Sequence, residues 1–291
     1  MTPSPTPLAP GRHRDWLPPA GVRYVVCDVD GTLVGSDVLA RPAVVEAVAR
    51  AQDAGVRVGY ATGRMRDAMA VLHDQLGAQG PHLLHNGAEV RAAGHTIAAW
   101  PLPDGAVREL LALVARRDDA YLEVYTESGY LASSLDERAA PHWELVGAPP
   151  RGVVTHADEL DGTDVLKATF TAFDPAAVAD LVAASEALGL SAGSASSPRT
   201  PHLAYVNVTH PDADKGRALV HAAGHLDIPL SQVVAIGDAA NDLSMFAVAG
   251  TAIAMGQADV RVRDAAHLVA PPVDDDGVVA ALDAIAGWQA R

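Results

Sequence analysis

Short apolar runs alternate with amphipathic stretches along most of this chain. Arg23–Gly31 (RYVVCDVDG) is a β-branched apolar run ending in acid and glycine, the pattern of a buried strand that opens into a loop. Pro42 then starts an amphipathic stretch that Gly55 stops, which predicts a helix over 42–55. Val56–Gly63 reads as strand and loop, Met65–Gly77 as helix, and His82–Val90 as another strand. Strands alternating with helices of this length imply a parallel sheet covered on both faces.

The texture then changes. Glu109–Asp118 is helical, and Tyr121–Ser134 alternates polar and apolar residues as a hairpin turned at Ser128-Gly129. Ala168–Phe173, a helix over 175–189 and strand-like pieces at 190–196 and 203–210 follow. Alternation with one polar face suggests an antiparallel sheet carrying helices on its other side. Helix (215–226), strand (233–238), helix (241–250), strand (251–256) and a last helix (277–287) restore the first texture. The expected division is a Pro-rich flexible tail (1–21), an α/β core from 22–90 and 203–291, and an inserted α+β domain over 91–202.

Composition narrows the possibilities. The chain has 291 residues, 49% of them hydrophobic, enough apolar material for a sizeable core. Lys and Arg total 21 against 36 Asp and Glu, a formal net charge of −15 with no basic patch, which argues against nucleic-acid and anionic-membrane partners. The single Cys27 excludes an internal disulfide framework and a cysteine-rich zinc site, and lies in an apolar run as a buried inert thiol. No apolar run reaches the roughly 18 residues a bilayer span needs, and the N-terminus lacks a secretory pattern, so a cytoplasmic location is expected.

Chemically pointed residues gather where strands should end: Asp28-Val29-Asp30-Gly31-Thr32, Ala61-Thr62-Gly63-Arg64, Lys215 opening a helix, and Gly237-Asp238-Ala239-Ala240-Asn241-Asp242. Ligands of open α/β sheets bind beyond the carboxyl ends of the strands. Four carboxylates (Asp28, Asp30, Asp238, Asp242) at adjoining strand ends repel one another, and a hard divalent cation such as Mg²⁺ relieves this. Lys215 adds a compact positive charge, and it is one of only two lysines. Carboxylates, metal, lysine and the Thr62 hydroxyl together describe a phosphoryl-transfer site. Walker-A, nucleophile-elbow and GxGxxG patterns are absent.

DVDGTL (28–33), ATGR (61–64), Lys215 and GDAAND (237–242) resemble, in order and spacing, the four motifs of the haloacid dehalogenase superfamily. NGA (86–88) and DGVVAAL near the C-terminus are similar to its Cof-type branch, in which a large α/β cap is inserted between the second and third motifs. The resemblance implies a Rossmann-like core and a Mg²⁺-dependent phosphatase. In it, Asp28 is nucleophile and metal ligand, and Asp30 is general acid and base with its carbonyl on the metal. Thr62 and Lys215 hold the phosphoryl group, Asp238 ligates Mg²⁺, and Asp242 supports it from behind. Gly63, Arg64, Asn86 and Asn241 are implied phosphate or substrate contacts, and Thr32 positions the phosphate loop. Asn207 departs from the acid that relatives more often carry there.

A small phosphorylated metabolite of the sugar-phosphate kind is the expected partner, with a monomer or homodimer as the assembly. Two alternatives stand beside a phosphatase: a phosphomutase of the phosphomannomutase type, and a non-catalytic phosphosugar-binding module. Arg64 has a bland alternative, pairing with Asp67 on its own helix. Glu123, Tyr125, His142, Trp143, Arg199 and His202 are cap candidates for specificity, each also readable as structural.

Overall fold

A computed structural model describes residues 6–7, 21–36, 39–160, 162–197 and 199–289. The chain divides into two compact units: one runs to Gly63 and adds Met69–Ala98 and the chain from Asp214 on; the other comprises Arg64–Ala68 and Ala99–Ala213.

The first unit is an α/β layer structure. Its strands are β1 (Thr6–Pro7), β2 (Tyr24–Asp28), β3 (Arg57–Ala61), β4 (His82–Leu84), β5 (Glu89–Ala92), β6 (His95–Ala99), β12 (Val233–Gly237), β13 (Thr251–Ala254) and β14 (Leu268–Val269). They form one sheet in the order β1-β14-β13-β12-β2-β3-β4-β5-β6. β2 and β12 are wholly buried, as their unbroken apolar runs require for strands covered on both faces. Helices α1 (Pro42–Asp53) and α9 (Gly277–Gln289) pack on this sheet through Val44, Val48, Val278 and Ile285, and Cys27 is a buried thiol in the same core. Because β12, β2 and β3 are parallel, with Ile236 beside Cys27 and Asp28 beside Ala61, the loops after them leave from one edge.

Within the expected tail, Thr6–Pro7 pairs in parallel with Leu268–Val269; the rest of 1–20 lies outside the described residues. His82–Val90 is not one strand. It is an antiparallel hairpin, Leu84 opposite Glu89, because His85, Asn86 and Gly87 all take positive φ and reverse the chain.

The second unit is α+β. Strands β7 (Ala120–Thr126), β8 (Gly129–Ala132), β9 (Val165–Ala172), β10 (Ser191–Ala195) and β11 (Ala204–Thr209) form an antiparallel sheet in the order β10-β11-β9-β7-β8. Leu122, Val124, Phe170, Val206 and Val208 point one way, against α3 (Ala106–Val114) and α5 (Ala177–Ala187). Tyr121, Glu123, Tyr125, Thr169 and Asn207 alternate with them onto the other face, as the period of two demands.

The unit boundaries depart from 91–202 for a topological reason. β5 and β6 extend the first sheet, so that unit continues to Ala98, while β11 pairs with β9 and carries the second unit to Ala213. No helix among the described residues is long and apolar enough to cross a membrane.

Candidate active site

Asp28 is the last residue of β2, and the chain turns sharply behind it. Val34 donates its backbone N–H to the Val29 carbonyl (2.9 Å) and Gly31 donates to the Val34 carbonyl (2.8 Å). Gly31 has φ +91°, and a Cβ there would sit 2.2 Å from Asp238 Oδ2, so only glycine lets this loop lie against that carboxylate. Asp238 follows β12 on the adjoining strand.

Lys215, the first residue of α6 (Lys215–His225), is fully buried and reaches between two acids. Its Nζ donates to Asp28 Oδ1 and, at 2.7 Å, to Asp242 Oδ1. Asp242 Oδ2 accepts the backbone N–H groups of Asp238 (3.0 Å) and Ala239 (3.1 Å). Asp242 therefore ties the loop after β12 to Lys215. Both its oxygens are engaged, which suits support from behind better than direct metal ligation.

Three carboxylates lie near one ammonium, which bonds two of them. Burial, then the charges of Asp242 and Asp238, push the Asp28 carboxyl well above its usual range, against the pull of Lys215. Asp238 is raised to about 6 by burial and by Asp242, with Gln257 opposing. Burial pulls against the Lys215 charge, but Asp242 and Asp28 outweigh it and lift its affinity for the proton. The excess negative charge is what a bound cation would neutralise.

The donor set fits such a cation. Asp28, Asp238 and Asp242 each offer an oxygen within 4.8 Å of the others. Asp238 Oδ1 is buried without a hydrogen-bond partner, an expensive condition for a carboxylate oxygen unless something positive sits on it. Oxygen ligands of this kind suit a hard divalent ion. The exposed side chain of Asp30 lies outside this group of three, although its charge is felt at Asp238.

Thr62 is buried just past β3, donating its backbone N–H to Leu83 and accepting from Asn86, both at 2.9 Å. Asn86 and Asn241, far apart in sequence, meet directly: Asn241 Nδ2 donates to Asn86 Oδ1 at 3.1 Å. Neither the phosphate role nor a bond to Lys215 anticipated this pairing for Asn241. A Cβ on Gly63 would lie 3.1 Å from Asn86 Oδ1, so the Asn86 amide is seated against the second motif. Arg64 groups with the second unit, and Asp67 is engaged by Arg66 (3.0 Å) and Arg151 (3.7 Å).

Gln257 was not visible in the sequence. Its Nε2 donates to the Gly31 carbonyl (2.6 Å) and reaches Asp238 Oδ2 (3.4 Å), while its Oε1 accepts the Val273 N–H (3.0 Å). Nothing in the local pattern around AMGQA signals this, because its partners come from distant loops.

Four cap candidates form a group of their own, buried except for the partly exposed Trp143. Glu123 accepts from Tyr121 Oη and Tyr125 Oη and contacts His142 Nε2 at 3.0 Å, while Trp143 Nε1 donates to Tyr121 Oη (3.1 Å). Lys167 sits over the Tyr125 ring, 4.2 Å from its centre. These residues hold α4 (Ala140–Val146), which the sequence did not reveal, to the polar face of the sheet. Arg199 and His202 are exposed and stand apart. Asn207 lies on β11 in the second unit and accepts from Thr169 (3.1 Å).

Carboxylates gathered beyond the carboxyl ends of parallel strands, with one buried ammonium among them, define a hydrolase of the haloacid dehalogenase type. The chain belongs to the haloacid dehalogenase-like hydrolase family, whose profile matches residues 25–282. It is 28% identical over 292 aligned residues (92% of this chain, 99% of the relative) to the 5-amino-6-(5-phospho-D-ribitylamino)uracil phosphatase YwtE of Bacillus subtilis. It is 29% identical to an HMP-PP phosphatase of Cronobacter sakazakii, covering 79% of this chain and 83% of that one. Among solved structures, a haloalkanoate-superfamily phosphatase from Bacteroides thetaiotaomicron superposes with a TM-score of 0.76 at 24% identity, over 95% of this chain and 97% of that one. These likenesses agree with the Cof-type resemblance of the motifs, and the named relatives are phosphatases.

Proposed function

We propose that this enzyme is a Mg²⁺-dependent phosphatase that hydrolyses a small phosphate monoester of the sugar or polyol class through an aspartyl-phosphate at Asp28. The observation that carries this reading is the Lys215 ammonium shared between Asp28 and Asp242 beside the unpartnered Asp238 oxygen. The YwtE relative acts on a phosphoribityl compound, which favours a polyhydroxylated leaving group.

Asp28 and Asp238, with the Asp30 backbone carbonyl, would hold Mg²⁺, and Asp242 would steady them. The bound ion supplies charge neutralisation for the phosphoryl oxygens. An Asp28 oxygen attacks phosphorus as the bond to the leaving oxygen breaks, and Asp30 gives that oxygen a proton. A water then attacks the phosphorus of the aspartyl ester, Asp30 takes its proton, and phosphate leaves with the Asp28 carboxylate restored. Lys215 holds the nucleophile and faces the transferring group, and the Thr62 hydroxyl and Gly63 N–H orient its oxygens.

Phosphate release from a panel of phosphorylated sugars, polyols and nucleotides, with Mg²⁺ and with EDTA, tests this beside Asp28→Asn. Release that needs both Mg²⁺ and Asp28 is expected, best for a sugar or polyol phosphate. Folded, Mg²⁺-loaded protein that releases phosphate from none of them overturns it, and a requirement for a bisphosphate activator would indicate a mutase.

A further inference from the structure

Three consecutive residues at the turn between β4 and β5 have left-handed backbone: His85 (φ 52°), Asn86 (φ 58°) and Gly87 (φ 93°). Two of them carry side chains, and such residues keep this conformation only where their surroundings enforce it. Each side of the turn has an identifiable hold.

In front, the Asn86 N–H is bound to the Thr62 carbonyl and its side-chain oxygen to Asn241. To one side, Gly87 abuts the start of α6: a Cβ there would lie 2.3 Å from the Asp214 carbonyl oxygen and 2.8 Å from the Lys215 nitrogen. Lys215 is gripped from the opposite side as well, since Gly216 donates to Ser244 Oγ (3.0 Å) and a Cβ on Gly216 would lie 2.2 Å from the Ser244 carbonyl oxygen. The backbone that aims the ammonium is thus wedged between this turn and Ser244, the second residue of α7 (Leu243–Val248).

Behind the turn lies Glu89, the first residue of β5, buried with no part in the carboxylate cluster. Its Oε1 accepts from Arg91 Nη1 (2.8 Å) and Thr96 Oγ1 (2.6 Å), and its Oε2 is 4.0 Å from His85 Nε2. Arg91 also donates to the Gly94 carbonyl (2.5 Å), so the carboxylate braces the β5–β6 hairpin and lies against the imidazole of the first residue of the turn. A buried carboxylate is costly unless it is paired and hydrogen-bonded, and Arg91 and Thr96 meet that requirement here.

We propose that Glu89 is a positioning residue: through His85 it fixes the left-handed turn, and the turn sets the placement of Lys215 and of the Asn86–Asn241 pair. The catalytic part of this inference rests on the phosphatase reading; the structural part does not.

The test uses the two lysines of the chain, Lys167 and Lys215. Lysine labelled with ¹³C at the ε-carbon gives two signals, assigned with Lys167→Arg. In Glu89→Ala the Lys215 signal is expected to shift and the Lys167 signal to stay. With p-nitrophenyl phosphate and Mg²⁺, kcat should fall about tenfold or more while KM changes by less than about threefold. Glu89→Gln keeps an acceptor for Thr96 and Arg91 and should recover most of that loss.

A folded Glu89→Ala variant whose Lys215 signal and kcat match the parent overturns the proposal. Both lysine signals moving together, the mark of general loosening, does so too. If Glu89→Ala does not fold, Thr96→Val decides, with a smaller effect in the same direction expected and an unmoved Lys215 signal counting against it. Should the parent enzyme release no phosphate from any ester, the phosphatase reading fails, and the lysine signals still decide the positioning role.

Discussion

Lys215 Nζ lies 2.7 Å from Asp242 Oδ1 and also donates to Asp28, so one buried ammonium joins acids that stand 187 residues before it and 27 after it. Three motifs remote in sequence thereby become a single electrostatic unit. A buried ion network of this kind is costly to break at one member, because the partners stay buried and uncompensated.

Lys215→Met should therefore lose stability as well as activity. Urea unfolding in EDTA is expected to show a loss of about 3–5 kcal/mol. An unfolding free energy within about 1 kcal/mol of the parent would mean that the carboxylates find other compensation.

Gly31→Ala should damage the site while sparing the core. The new methyl group would overlap the Asp238 carboxylate, and the residue would have to hold φ +91°. Calorimetric titration is expected to show Mg²⁺ binding weakened by about tenfold or more. Undiminished affinity would show that Asp238 can retreat without consequence.

The cap network predicts a proton shift. Burial lowers Lys167 to about 8, and the Glu123 charge opposes that fall. Glu123→Gln removes the opposing charge, so the Lys167 midpoint, followed by NMR of the labelled lysine, should move below about 8. A midpoint that stays at about 8 or rises would mean that the Glu123 charge does not hold the Lys167 proton.

Acid stability should depend on His82, which stacks on Tyr60 with ring centres 3.9 Å apart. Burial, with the nearby charge of His73, lowers it from 6.5 to about 3. Between those values the unfolded chain binds a proton that the folded protein refuses, so stability falls as pH drops through this window, by roughly 1.4 kcal/mol per pH unit. His82→Phe, which keeps a ring on Tyr60, should flatten that part of the stability curve in denaturant titrations from pH 7 to pH 4. Parallel curves for parent and variant would assign the acid sensitivity to other groups.

Much of the molecule was legible from its residues. Apolar β-branched runs ending in DVDG and GDAAND marked β2 and β12, because strands buried on both faces admit little else. Their acids and Lys215 marked the site, because that chemistry needs charge opposite charge. The hairpin at His85–Gly87 was not legible: an apolar run says nothing of three left-handed residues that distant contacts enforce. Gln257 escaped for the same reason.

Local pattern and residue chemistry, then, determined the alternating core, the inserted α+β texture and the acids of the four motifs. Only the tertiary structure decided that β5–β6 extends one sheet and β11 lies inside the other, that Asp242 spends both oxygens behind the site, and that Asn241 meets Asn86. Periodicity encodes which face of an element is buried. Which partner it is buried against is set by long-range packing that no window along the chain contains.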